Sequence, residues 1–206
     1  MRYRPRHELQ RDGRASDRCD ATVPAMSDDR SLTAAINEAV SLHTHDPAWA
    51  GAFELERTRL QRLLPGVFLA IEHIGSTAVP ALVAKPIIDI LVAVESLDGV
   101  DAVIERLCES GYTTSREFNE TLTDRKWLMR WLAGHRTHHL HIVVANNAPW
   151  QDRVAFRDAL RSDPALDRRY AALKTELATK HRADREAYSE AKAEFVSAAT
   201  SGRRQA

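Results

Sequence analysis

The sequence predicts an α+β fold in which a small mixed β-sheet is flanked by helices and followed by a helical C-terminal third. Three apolar, strand-like runs, 67–74, 87–94 and 139–144, are separated by stretches with helical spacing and caps. Beyond Trp150 the pattern is helical throughout, and Asp163-Pro164 supplies a cap followed by a proline start. The chain has 206 residues, 44% hydrophobic and 28% charged, enough for one proper core and too few for two independent ones.

Residues 1–30 carry seven Arg against six acids and almost no periodic apolar positions, so they cannot recover their ordering entropy. A flexible extension is expected over 1–40, a domain over 41–200 and a flexible end at 201–206. The domain opens with Asp46 as N-cap and Pro47 at the first helical position. Trp49, Phe53, Leu60 and Leu64 then recur at helical spacing until Pro65-Gly66 ends the element. The run 67–74 reads as a strand, 75–80 as a turn, and 87–94 as the central strand. A helix from Asp98 or Gly99 through Val100, Val103, Ile104 and Leu107 ends at Gly111, before the strand at 139–144. The C-terminal third holds a helix over 152–160, one with Leu166, Tyr170, Leu173 and Leu177 on one face, and a last one carrying Tyr188, Ala191 and Phe195.

Composition excludes several classes. No apolar run reaches bilayer length and the basic start lacks a signal peptide's apolar stretch, so a cytoplasmic protein without membrane partners is expected. Lys plus Arg and Asp plus Glu balance at 29 each, which gives no strong nucleic-acid signal. Cys19 and Cys108 lie far apart and support neither a disulfide framework nor a paired-cysteine zinc site.

Three segments carry residue types that packing does not need. Asp89 sits within an otherwise apolar strand, where a carboxylate either pairs internally or is displayed to a ligand. Alternation puts Asp89 on the face of Ile87 and Leu91, opposite Ile88, Ile90 and Val92. Gly75-Ser76-Thr77 follows a strand, and such a turn offers N–H and hydroxyl groups to phosphate oxygens; Lys85 adds a cation ten residues on. The segment from Arg136 to Val144 holds His138, His139 and His141, of which His139 and His141 share a face. Two imidazoles and Asp89 can ligate a divalent metal ion, or they can form a hydrogen-bonded cluster without metal. His73 shares its strand face with Ile71 and Leu69 and reads first as a satisfied core histidine. The site expected from these residues is one polar cleft lined by Gly75, Ser76, Thr77, Lys85, Asp89, His139 and His141, with His73, Arg136 and His138 at its wall.

The string at 71–80, IEHIGSTAVP, followed by KPIIDILV at 85–92, closely resembles the signature of the GrpB family. Asp46-Pro47-Ala48-Trp49, the histidine segment at 136–141 and the helical end at 184–188 extend the resemblance over about 43–198. It implies a nucleotidyltransferase-like fold. In active members of that superfamily a glycine-serine turn holds triphosphate, and three strand carboxylates hold two metal ions. Gly75-Ser76 matches that turn and Asp89 the second carboxylate, whereas Ile87 stands at the first and His139 or His141 replaces the third. Imidazole is a poor ligand for hard cations and isoleucine is none, so the two-magnesium pattern is broken. Three readings follow: an enzyme with a remodelled metal site acting on a nucleotide or phosphorylated small molecule; a non-catalytic nucleotide- or phosphate-binding protein; and an interaction or folding-assistance module. The last arises because similar domains occur fused to dephospho-CoA kinase, although this chain carries no phosphate-loop signature.

Overall fold

The computed structural model describes residues 29–201. Residues 1–28 of the extension expected over 1–40, and 202–206 of the end expected at 201–206, lie outside the described residues. Strands β1 (Ala70–Ile74), β2 (Ile88–Val94), β3 (Arg125–Leu132) and β4 (His135–Val144) form one open mixed sheet in the order β1-β2-β4-β3. β2 pairs antiparallel with β1 and parallel with β4, and β3 pairs antiparallel with β4.

One face of the sheet is apolar because Ile88, Ile90, Val92 and Val94 of β2 align with Leu140 and Ile142 of β4. Helices α2 (Ala48–Leu63) and α3 (Val100–Glu109) cover this face through Trp49, Phe53, Leu60, Ile104 and Leu107. Asp46 caps α2 by accepting the Ala48 N–H at 2.8 Å. On the opposite face Ile74, Leu91 and Val143 meet Trp150 and Val154 of α5 (Ala148–Ser162). Helix α6 (Pro164–Lys180), capped by Asp163 as its sequence predicts, packs beyond α5 with α7 (Arg185–Glu190) and α8 (Ala193–Ser201).

Four differences from the expectation have physical causes or consequences. First, 29–40 belong to the fold: α1 (Asp29–Ile36) buries Ala35, and Arg136 donates to the carbonyls of Ala35 and Ile36 at 3.0 and 3.1 Å. Second, β1 begins at Ala70 because Gly66, at φ +75°, turns the chain and Val67 bonds back to Leu64. Third, β3 and α4 (Arg116–Thr121) are additional elements, and β3 joins β4 through Ala133-Gly134, both at positive φ as a tight hairpin requires. Fourth, the last helix is two, and the break sets the Lys192 ammonium 4.1 Å from the centre of the Tyr188 ring. Among the described residues no helix is long and apolar enough to cross a membrane.

Candidate functional site

Asp89 is the second residue of β2, and its register partners are Ile74 on β1 and His139 on β4. Leu91 pairs with His141, so Asp89, His139 and His141 lie on one face, the face covered by the C-terminal helices. His139 Nδ1 donates to Asp89 Oδ1 at 2.9 Å. Burial alone would raise the Asp89 carboxyl, but this hydrogen bond, then the neighbouring His139 and His141 rings and Lys85, hold it below its ordinary value. Asp89 is therefore ionised, and with 29% of its side chain exposed it is open to a ligand. Burial pushes the His139 imidazole down despite its carboxylate partner, so the ring is neutral, with its proton on Nδ1 and a lone pair on Nε2. That Nε2, and Nδ1 of His141, are buried with no hydrogen-bond partner.

Gly75 lies directly beneath the carboxylate. It has φ +70°, and a Cβ there would fall 2.3 Å from Asp89 Oδ2. The left-handed conformation and the close approach both demand glycine at this position. The next residue opens a 3₁₀ turn, Ser76–Ala78, whose Ser76 hydroxyl accepts from Lys174 Nζ at 2.9 Å. Lys174 also donates to the Val83 carbonyl, which ties α6 to the turn.

Cations surround the single carboxylate. Lys85 lies 5.1 Å from the Tyr188 ring centre and Lys192 stacks on the same ring. Burial, then the neighbouring charges of Arg185 and Lys192, brings the Lys85 ammonium down to about 7. Lys174 falls to about 7 and Lys192 to about 8, burial again being the main cause, and Asp89 opposes the shift in all three. Arg153 of α5 faces both Asp89 and His141.

The structure thus brings together Gly75, Ser76, Lys85, Asp89, His139 and His141, and it separates the other expected residues from them. His73 pairs with Ile90 and points to the opposite face, where its ring stacks on Phe53 at 4.7 Å. Thr77 is buried; it donates to the Ile87 carbonyl at 3.1 Å and accepts from His73 Nε2 at 3.1 Å, holding the turn against β2. His138 pairs with Ile88 and so takes the α2 side, near Glu56 and Arg130; the period of two puts it opposite its neighbour. Arg136 is turned away to the end of α1.

The residues do not fit the expected three-ligand metal centre. Among the described residues no three His, Cys, Asp or Glu side chains come together as a metal-binding set. The Asp89 oxygen nearest His139 is committed to its N–H, which makes the two a dyad instead of co-ligands. The surrounding cations favour an anion.

Lys174, Lys192, Tyr170 and Tyr188 were beyond sequence reasoning, with one exception in signal. Lys174 falls in the buried stripe of Tyr170 and Leu177, four residues after the first, where a lysine needs a partner.

The family profile described as "GrpB protein" matches residues 39–201. A UPF0157 protein of Pseudomonas aeruginosa is 39% identical, over 84% of this chain and 71% of its own length. The UPF0157 protein YqkA of Bacillus subtilis is 34% identical over 78% of this chain, and the chain spans 46% of that relative. The crystal structure of the conserved protein GrpB from Enterococcus faecalis superposes with a TM-score of 0.70 at 37% identity, covering 79% of this chain and 96% of that one. The matched stretch contains the whole Asp89 site, from the Gly75 turn to Lys192, and with it the chain belongs to the GrpB family.

Proposed function

We propose that this GrpB protein is a nucleotidyltransferase-like enzyme that binds a nucleotide or phosphorylated small molecule on the Asp89 face of the sheet. The reading is carried by one observation: an ionised, accessible carboxylate stands among three lysines contributed by separate segments, Lys85, Lys174 and Lys192. Lysine ammonium groups and the Gly75-Ser76 turn suit phosphate oxygens. A phosphate also restores the charge that burial removes from these lysines, so binding and protonation favour each other.

Asp89 then orients an attacking hydroxyl and takes its proton as the hydroxyl oxygen bonds to the α-phosphorus and the bond to the pyrophosphate leaving group breaks, while the lysines balance charge that develops on the phosphoryl oxygens. His139 is a positioning residue: its N–H fixes Asp89 and keeps it ionised. The lone carboxylate also favours a second reading, binding without turnover, since Ile87 is buried where an active transferase would place another acid.

Thermal shift with inorganic triphosphate and the four common nucleoside triphosphates, followed by phosphorus NMR of any that bind, tests both. Binding should stabilise the protein, and Lys85→Met should remove the effect. Asp89→Asn should keep binding and reduce turnover by roughly 10²- to 10⁴-fold. Binding with no turnover in the wild type selects the second reading, and no binding by any of the five compounds rejects both.

A further inference from the structure

A groove of about 450 Å³ opens among the C-terminal helices, lined by Asp152, Tyr170, Ser189, Lys192, Ser197 and Thr200. Its volume lies in the range that takes a small-molecule ligand, and its walls mix hydroxyl groups with apolar surface. Two of its residues also belong to the surroundings of Asp89. Lys192 stacks on Tyr188 at 4.1 Å beside Lys85, and it feels the Asp89 carboxylate. The Tyr170 ring centre lies 4.8 Å from Lys174 Nζ, which bonds Ser76. The groove therefore shares a wall with the phosphate-binding turn.

We infer that this groove receives the organic part of the ligand: a hydroxyl-bearing group of nucleoside size whose phosphate lies over Lys85, Lys192 and the Gly75-Ser76 turn. This rests on the phosphate-binding reading above and assigns the specificity to the helical third of the chain. Ser189 offers a hydroxyl that can donate to or accept from a ligand hydroxyl. Lys192 stands at the junction, where it meets the phosphate from the groove side.

The test fills the groove and leaves the anion site intact. Ala193 and Ser189 both line the groove and are exposed, so Ala193→Trp and Ser189→Trp narrow it from two helices without disturbing the core. Calorimetric titration of the full chain compares nucleoside triphosphates with inorganic triphosphate. The wild type should bind at least one nucleoside triphosphate about tenfold or more tightly than inorganic triphosphate, a difference of about 1.4 kcal/mol. Both variants should lose that advantage and bind inorganic triphosphate as the wild type does. A wild type with no such preference overturns the inference, as does a folded variant that keeps it. Failure of inorganic triphosphate and of every nucleoside triphosphate to bind the wild type rejects the phosphate-binding reading itself. Two independent positions guard against one that fails to fold, and circular dichroism reports which variant is folded.

Discussion

Gly75 and Asp89 act as one unit at the scale of single residues. A Cβ at Gly75 would meet Asp89 Oδ2 at 2.3 Å in a backbone conformation of φ +70°, so Gly75→Ala should both strain the turn and displace the carboxylate. A loss of more than about 1 kcal/mol is expected in urea unfolding, together with loss of triphosphate binding. The buried histidines give a second signature. Burial lowers His73 and His138 to about 4 and His141 to about 3, while the unfolded chain titrates them at ordinary values near 6.5. Between those values the unfolded state binds protons that the folded state refuses, so stability falls as pH drops from about 6.5 towards 4. Each such histidine can steepen the fall by up to about 1.4 kcal/mol per pH unit. Urea midpoints across this range check it: His141→Asn should flatten the slope, and an unchanged slope would mean that His141 is not buried neutral.

At the scale of elements, the pairing of Asp89 with His139 was legible in the sequence, because two strand-like runs with a period of two fix which side chains share a face. The same rule assigns His138 to the other face. β3 was not legible, since its charges point inward. Lys126 and Arg130 share the face of Leu128, where Lys126 donates to the carbonyls of Asn119 and Leu122 at 2.9 and 3.3 Å. Arg130 meets Glu56 at 2.6 Å. No local pattern announces partners that lie on other elements. Glu56 is itself hidden on the inner side of α2, with 4% of its surface exposed, and gathers Arg59, Arg130 and Tyr112. Burial opposes its ionisation, but these partners hold the carboxyl below its usual range. Removing it leaves two half-buried guanidinium groups and the buried Tyr112 hydroxyl without their shared partner, so Glu56→Ala should cost about 2–3 kcal/mol in denaturant unfolding. A loss below 1 kcal/mol would show that the cluster is not a tie between α2 and β3.

The whole molecule divides its labour between a sheet that fixes Asp89 and His139 and a helical third that brings Lys174, Lys192 and Tyr170 to them. Sequence reading found the first part from strand periodicity. It missed the second because an exposed lysine and a buried one look alike until the packing of α6, α7 and α8 is known. Most of the electrostatics follows from that packing: three lysines with lowered affinity for protons face one carboxylate that is already hydrogen-bonded. A bound anion must draw protons back onto them. A metal ion held by the histidines, which are already neutral, would draw none.

Proton uptake on binding is therefore the most direct measurement. Inorganic triphosphate is titrated calorimetrically into the full chain at pH 8, in two buffers of different ionisation enthalpy, so that the difference in heat counts protons. Triphosphate meeting cations can only release protons, so net uptake has to come from the protein. Lys85 and Lys174 at about 7 and Lys192 at about 8 predict net uptake at pH 8, and Lys85→Met should reduce it. Binding with no uptake, or with net release, would contradict the assignment of the Asp89 face as a lysine-built phosphate site.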